Sequence, residues 1–386
     1  MSFKLVPAFV SVAIFSFIFI IWQENSSFSA ANDFKTNPES IFQAKPIWNN
    51  NQDSIPDTFL IAAVGDLMLG TNFPSPKFLP PEGYENLLLS PLKYFQNADF
   101  TFGNLEGTIL DSGGIAKKCK DSNVCYLFRM NNLSATVFKN AGFDVMNMAN
   151  NHSGDFGLVG RQNTVRVLQE NDIESCGLLT KPACIVDRKG RKIGVVGFSP
   201  NNGTNDINDS ARVVALVDSL KPLCDLLIVT FHGGAEGRTK QHISRKHEFF
   251  YGEDRGNVYQ FARLAIDAGA DVILGHGPHV PRAVDLYKGK FIAYSMGNFC
   301  TYARFSLKGE NAYAPLFNIY VDKQGNLIKA QVLSYFQVGE GIPKPDSLNR
   351  AFKTIKLLTK TDIPEAPLAF GKNGFIFPKT IKFKAK

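Results

Sequence analysis

Cysteine and histidine are scarce in this chain: each occurs six times in 386 residues, and no two cysteines stand in a CxxC pair. Zinc-cage or redox chemistry built on such pairs is therefore not expected. No internal repeat is found, which argues against a solenoid or a propeller. Basic and aromatic residues do not combine into a nucleic-acid reading motif, so no nucleic acid is expected as a partner. An excess of one charge sign is missing from most of the chain as well. The net charge of +7 is carried by the segment from Ser347 onward, where nine lysines and arginines face only Asp362 and Glu365. Such a basic tail either touches a polyanion or acidic lipid headgroups, or is simply solvated.

Apolar residues make up 44% and charged residues 20% of the chain, ordinary values for a packed core, which excludes disorder of the whole. The N-terminus is different. Lys4 precedes an uncharged run from Leu5 to Trp22, close to the roughly 20 residues of a spanning helix and longer than the roughly 7 to 15 residues of a signal-peptide core. We expect residues 1–24 to be a single-pass membrane anchor with everything after Glu24 outside the cytoplasm. Ser29-Ala30-Ala31 offers an alternative in which the segment is cleaved, and export follows on either reading. Local disulfides between Cys119 and Cys125, or between Cys176 and Cys184, are permitted there, while Cys224 and Cys300 lie next to apolar runs and read equally as buried thiols.

Residues 25–57 are rich in Asn, Ser and Asp without a sustained period and read as a flexible tether. Short apolar runs then recur at Phe59–Val64, Val145–Met148, Ile193–Phe198, Leu226–Phe231, Val272–Leu274 and Phe291–Ser295. Helical periods lie between several of them. Val258, Phe261, Ala262, Ala265 and Ala268 share one helical face, and Gly269 is placed to stop that helix. Alternation of this kind defines an α/β layered domain. Leu316–Val321 and Leu327–Val338 flank a turn and read as a hairpin, and a short amphipathic helix is expected near residues 349–360.

The apolar runs share one further feature, a polar, metal-capable residue where each of several ends. Asp66 follows the first, Asn104 and Glu106 follow Phe100–Phe102, and Asn150, Asn151 and His152 follow Val145–Met148. His232 follows the run at 226–231, and His276 with His279 follow Val272–Leu274. The carboxyl ends of strands in α/β sheets are where distant loops converge on one crevice. Mixed carboxylate, amide and imidazole donors without thiolate suit first-row transition metals more than calcium. Two ions about 4 Å apart in such a cleft bridge a phosphate-like group and lower the pKa of water. His242 and His247 fall in a long polar insertion, about Arg238 to Arg255, and read as surface histidines.

Gly65-Asp66-Leu67-Met68-Leu69-Gly70, Asn104-Leu105-Glu106-Gly107, Ala149-Asn150-Asn151-His152, His232-Gly233-Gly234-Ala235-Glu236, Gly275-His276-Gly277-Pro278-His279-Val280 and Ser295-Met296-Gly297-Asn298-Phe299 resemble, in the same order, the successive signatures of the CapA family of capsule and poly-γ-glutamate biosynthesis proteins. The resemblance covers about Phe59 to Phe299. It implies a four-layer α-β-β-α sandwich of the metallo-dependent phosphatase type over residues 58–338, with residues 339–386 left as a basic C-terminal tail. It also implies Asp66, Glu106, Asn151, His232, His276 and His279 as ligands of one or two divalent ions (Mn, Zn or Fe), and His152, oriented by Asp155, as the catalytic pair. Asn104, Asn150, Glu236 and Asn298 would face substrate. The implied partners are an anionic surface polymer or its precursor, the membrane, and a polymer synthase or export complex.

The chain departs from calcineurin-like enzymes at two positions: Met68 stands where they carry a histidine, and Asn104 where they carry a bridging aspartate. Within the family, Gly233 replaces a usual Trp. Two functions therefore remain open, a metal-dependent hydrolase acting on a surface polymer and an accessory protein whose pocket binds without turnover.

Overall fold

The computed structural model describes residues 57–118 and 126–379. The expected anchor, nearly all of the tether, and Cys119 and Cys125 lie outside the described residues. Among the described residues no helix is long and apolar enough to cross a membrane.

In chain order the main elements are β1 (Phe59–Met68), β2 (Phe100–Leu105), α1 (Leu133–Ala141), β3 (Val145–Asn147), α2 (Gly157–Glu170), β4 (Glu174–Cys176), β5 (Ala183–Arg188), β6 (Arg191–Phe198), α3 (Ser210–Leu220) and β7 (Leu226–His232). They continue with α4 (Val258–Asp267), β8 (Val272–His276), β9 (Val284–Tyr287), β10 (Lys290–Ala293), β11 (Asn298–Thr301), β12 (Tyr313–Val321), β13 (Leu327–Val338), β14 (Ile342–Pro345), α5 (Arg350–Asp362), β15 (Leu368–Phe370) and β16 (Phe375–Pro378).

Two sheets carry the fold. The larger runs β15-β16-β13-β12-β1-β2-β3-β4, with β11 beside the end of β1 and β14 beside β13; the smaller runs β9-β10-β8-β7-β6-β5. Strands β1 to β4 are mutually parallel, as are β6, β7, β8 and β10. β1 shows why its sequence is almost continuously apolar. Phe59, Ile61 and Ala63 point into a core shared with Val195, Val229 and Ile273 of the smaller sheet. Ala62 and Val64 point the other way, into a core shared with Phe138 and Ala141 of α1 and Val167 and Leu168 of α2. A strand buried on both faces has no position for a polar residue until it ends.

The expected helix at 258 is α4, whose Val258, Phe261, Ala262, Ala265 and Ile266 are buried. Its start is capped by Asn257, which accepts a hydrogen bond from the Gln260 amide at 3.1 Å, and Gly269 follows its end at φ +119°. The expected hairpin is β12 and β13, closed by Asp322, which accepts from the amides of Gln324 and Asn326 at 2.9 and 2.8 Å. Cys176 and Cys184, one candidate disulfide, are buried free thiols, and Cys224 and Cys300 are free as well.

Residues 339–379 are not a tail. β16 pairs with β13 through Ala330↔Ile376 and Gln331↔Phe375, which extends the larger sheet. Helix α5 sends Phe352, Ile355 and Leu358 into the central core, while Lys353 and Lys360 lie on its exposed side. The segregation of charge that reads as a solvated tail is the outer face of an amphipathic helix. Asp362, at the end of α5, accepts from the Ile243 amide at 3.1 Å and meets His242 Nδ1 at 2.7 Å, which fastens the polar insertion to this element. Surface placement of His242 and His247 agrees with their sequence reading, their side chains being 67% and 49% exposed.

If the C-terminal strands belong to the core, Ile376→Ala is expected to cost about 2 to 5 kcal/mol in urea unfolding. Phe377→Ala, on the half-exposed neighbour, should cost less than about 1 kcal/mol. Equal, small losses at both positions would return the segment to the status of a tail.

Candidate metal centre

Strand register gathers the polar residues in two rows. Across the larger sheet, Asn298 is paired with Asp66, Asp66 with Asn104, and Asn104 with Asn147. Across the smaller sheet, His276 is paired with His232. Asp66, Asn104, Asn147, His232 and His276 lie toward the carboxyl ends of their strands, and Asn298 opens β11 beside Asp66, so strand ends assemble the rows. Close approach of the loops needs glycine at two places. A Cβ on Gly65 would lie 1.9 Å from the Gly297 carbonyl oxygen, and one on Gly277, at φ +113°, would lie 2.6 Å from the Gly233 oxygen.

The tightest group is Glu106, His232 and His279, whose ligand atoms all lie within 4.8 Å of one another. Glu106 Oε1 is 3.5 Å from His279 Nε2, 3.7 Å from His232 Nε2 and 3.9 Å from His152 Nε2. Asp66 adjoins this group, with Oδ2 accepting from His279 Nδ1 at 2.9 Å and Oδ1 lying 3.2 Å from His276 Nδ1. Both oxygens of Glu106, both ring nitrogens of His232 and of His276, and Asn151 Oδ1 are buried without a hydrogen-bond partner. Leaving so many buried polar atoms unpaired costs about 1 to 3 kcal/mol each. A divalent transition ion is the species that uses them together, and imidazole with carboxylate is the donor set it takes. The residues present therefore fit a metal. Asn151, whose side-chain oxygen is one of these buried atoms, is held through its backbone carbonyl, which accepts from Lys117 Nζ at 3.0 Å.

Charge in the pocket is strongly perturbed. Burial pushes the Glu106 carboxyl well above its ordinary value, and neighbouring Asp66 and Glu236 add to this. Burial also opposes protonation of His279, but Glu106, Asp66 and Glu236 outweigh it and raise the imidazole to about 10. Asp66 is buried too, yet the His276 imidazole 3.2 Å from its Oδ1 and the hydrogen bond from His279 hold it ionised, well below the usual carboxylate range. Burial and the charge of Arg255 drive His232 well below its ordinary value. A proton on His279 thus occupies the place of a cation among carboxylates, the place a bound ion would take. His279 also sits at φ +59°, a left-handed conformation uncommon for a side-chain-bearing residue.

Three residues expected to face substrate do something else. Asn104 is fully buried; its Nδ2 donates to Asp66 Oδ1 at 2.8 Å, and its Oδ1 accepts from Asn147 at 2.8 Å and Asn150 at 3.2 Å. Asn150 also donates to the Leu105 carbonyl at 2.9 Å and accepts from the His152 amide at 3.1 Å. Asn298 accepts from His279 at 3.1 Å and donates to the Asn311 carbonyl at 3.1 Å. With their amides engaged inside the protein, all three brace the pocket. Of the four, Glu236 alone keeps a side chain partly exposed, at 20%, and its Oε2 lies 3.8 Å from His279 Nε2. Asn147, the last residue of β3, was not a sequence candidate because it lies inside the run Val145–Met148 and does not follow it.

His152 and Asp155 meet as the resemblance implied, Nδ1 to Oδ2 at 2.7 Å. The same carboxylate accepts from the Phe128 amide at 2.8 Å and pairs with Lys117 at 2.6 Å. Burial lowers the His152 pKa, against the opposing pull of Asp155. Phe128 lies on the imidazole at 4.2 Å between ring centroids, and Phe305 stacks on Phe128 at 4.9 Å. These rings form an apolar wall that no sequence motif announces.

Two sheets that bring their carboxyl ends together over histidines and buried carboxylates define a mixed α/β protein with a metal-capable centre. The family model for the bacterial capsule synthesis protein PGA_cap matches residues 60–303, and the chain belongs to that CapA family. It is 27% identical over 301 residues to the capsule biosynthesis protein CapA of Bacillus anthracis, covering 73% of this chain and 68% of that protein. It is 26% identical over 259 residues to the PGA biosynthesis protein CapA of Bacillus subtilis, covering 63% of each. A probable polyglutamine synthesis accessory protein of Mycobacterium tuberculosis is 29% identical over 221 residues, covering 50% of this chain and 53% of that one. The chain thus spans roughly half to two thirds of these relatives' lengths. Among solved structures, a hypothetical protein from Thermus thermophilus aligns with a TM-score of 0.45 at 14% identity, over 72% of this chain and 99% of that one. A 5'-nucleotidase precursor from the same organism aligns with a TM-score of 0.41 at 11% identity, over 80% and 59%.

The bracing role of Asn104 has a measurable consequence. Asn104→Ala strands one oxygen of Asp66 and the amides of Asn147 and Asn150, and is expected to cost at least about 2 kcal/mol in urea unfolding. His247→Ala, at the surface, should stay within about 0.5 kcal/mol.

Proposed function

We propose that this chain is a membrane-anchored, extracytoplasmic protein of capsule or poly-γ-glutamate-type polymer biosynthesis or export, acting through a metal-dependent hydrolase-like centre in a four-layer α-β-β-α fold. The observation that carries the centre is the set of unpartnered buried atoms on Glu106, His232, His276 and Asn151. Glu106, His232 and His279 would hold one ion, with Asp66 and His276 beside them. A bound divalent ion supplies Lewis acidity toward a phosphoryl or carbonyl oxygen and lowers the pKa of a coordinated water.

The protein's own contribution centres on His152. Its Nδ1–H is fixed by Asp155, so the neutral imidazole presents an Nε2 lone pair toward Glu106, placed to take a proton from a bound group or return one. Lys117 neutralises the far oxygen of Asp155, and Phe128 and Phe305 keep water from that side of the ring. The substrate class is an anionic surface polymer or its precursor, met at the membrane and in company with polymer synthase or export components.

A second reading, a non-catalytic accessory protein, is favoured by two residues. Met68 is fully buried, and its sulfur accepts from the Gly70 amide at 3.3 Å. Asn104 turns its NH2 group, not its oxygen, toward Asp66. Neither offers a ligand to a second ion.

Metal analysis of the purified chain, paired with a screen of phosphoester and γ-glutamyl amide substrates, separates the two readings. At least one transition ion per chain is expected; His276→Ala should lower occupancy about tenfold or more while His242→Ala leaves it unchanged. An intact chain that never takes metal would defeat the hydrolase reading. Membrane anchoring is tested separately by fractionation: the chain should stay with the membrane and be cut by external protease in cells with a permeable envelope, and recovery as a soluble, N-terminally processed protein would leave only export.

A further inference from the structure

Arg255 is the buried charge that the pocket described so far does not use. Its backbone is clipped to the loop that follows His232, since the Gly234 amide donates to the Arg255 carbonyl at 2.8 Å and the Arg255 amide donates to Glu248 at 2.7 Å. Gly233 permits this approach, because a Cβ there would lie 2.8 Å from the same carbonyl oxygen. The side chain is only 3% exposed, and Nη1 is held by Glu236 Oε1 at 3.0 Å and Glu253 Oε2 at 3.1 Å. Nε and Nη2 are buried and have no partner among the described residues.

Those two nitrogens form the side-on edge of the guanidinium, two parallel N–H donors matched to two oxygens on one atom. A guanidinium does not escape burial by losing its proton, so the edge needs an occupant. Arg282, its neighbour in the same wall, leaves only Nε without a partner: its Nη1 and Nη2 bind Glu248 at 2.9 and 2.8 Å, and Nη2 also donates to the Ala235 carbonyl at 3.1 Å. Arg282 has its acid within the chain. Arg255 has an acid on one nitrogen and an open fork on the other two.

The position is next to the metal ligands. Glu236 joins Arg255 to the centre, with one oxygen on the guanidinium and the other 3.8 Å from His279 Nε2. Both partners of Arg255 reach solvent, Glu236 at 20% and Glu253 at 40%, so the guanidinium lies one carboxylate away from the surface.

We infer that Arg255 is an anion-recognition residue of this pocket, its Nε–Nη2 edge receiving two oxygens of a carboxylate or phosphate group on the ligand. This rests on the metal-pocket reading above and deepens it, since it requires the ligand to carry an oxyanion one residue's reach from the metal ligands. The side-on fork offers two parallel donors to two oxygens of one group, which the single ammonium of a lysine does not.

The test uses the full chain loaded with Mn(II), titrated calorimetrically with inorganic phosphate and, separately, with glutarate. At least one anion should bind the wild type, and which one it is separates a phosphoester ligand from a polycarboxylate. Arg255→Gln should weaken that binding at least tenfold with metal content unchanged, and Arg255→Lys, which keeps the charge and the contact to Glu236, should weaken it severalfold. If Arg255→Gln does not fold, Arg255→Lys alone decides. A purely structural arginine would lower the unfolding temperature and metal content together and leave anion affinity per loaded chain unchanged. Wild-type protein that binds neither anion, or variants that bind as tightly as wild type, overturn the assignment. A chain that takes no metal refutes the metal reading instead, and the same titration of that metal-free chain then decides Arg255 by itself.

Discussion

A single ionised carboxylate, that of Asp66, is buried with no solvent contact at the end of the central strand of the larger sheet. Taking such a charge out of water is costly unless donors surround it. Asn104 on one neighbouring strand, His279 on the loop after β8, and His276 at the end of β8 itself supply that surround. Two of the three come from the segment that ends the smaller sheet, so Asp66 is satisfied only if the two sheets bring the same ends together. The pocket and the packing of the sheets are thus one requirement. This also explains why Gly65, Gly275 and Gly277 admit no side chain: a Cβ at any of them would meet backbone within 2.6 Å and hold the ends apart.

The compensation for Asp66 propagates outward through amides. Asn104 can donate to Asp66 only because its own oxygen is held by Asn147 and Asn150, and Asn150 in turn fixes the amide of His152. A chain of hydrogen bonds therefore runs from a metal-ligand candidate to the candidate acid–base residue, and each member gains rigidity from the next. His152 takes its orientation from both sides, through its backbone from Asn150 and through its ring from Asp155. The left-handed backbone of His279 belongs to the same logic. The strain is held because Asp66 and Asn298 both engage its Nδ1.

Legibility in the sequence followed burial. Strands buried on both faces, such as β1 and β7, read as apolar runs, and the ionisable residues toward their ends read as site candidates. The roles of those candidates were less legible. Asn104, Asn150 and Asn298 sit in the right row, but whether an amide faces ligand or neighbour depends on which partners the register places beside it, and pairing register is not written in one strand. The C-terminal segment was legible in part: the amphipathic helix expected near residues 349–360 is α5, but its place in the core was missed for a different reason. Composition from Ser347 is dominated by lysine, and the apolar positions of α5, namely Ala351, Phe352, Ile355 and Leu358, occupy the stripe opposite the charge. A charge count sees the outer face; only the helical period sees the inner one.

That inner face bears on the site. Helix α5 ends at Asp362, which receives His242 and Ile243 from the polar insertion, and Arg245 from the same insertion pairs with Glu365 at 2.6 Å. The insertion then returns through Glu248, held by Arg282, to Glu253 and Arg255 beside the metal-capable cluster. An insertion of about eighteen residues on an open loop would pay its ordering entropy at each binding event. Anchored at one end by α5 and at the other by the buried Arg282–Glu248 pair, it presents Glu236 and Arg255 already placed. The C-terminal element is thus part of the pocket's support, and the wall it holds carries the unpartnered Nε–Nη2 edge of Arg255.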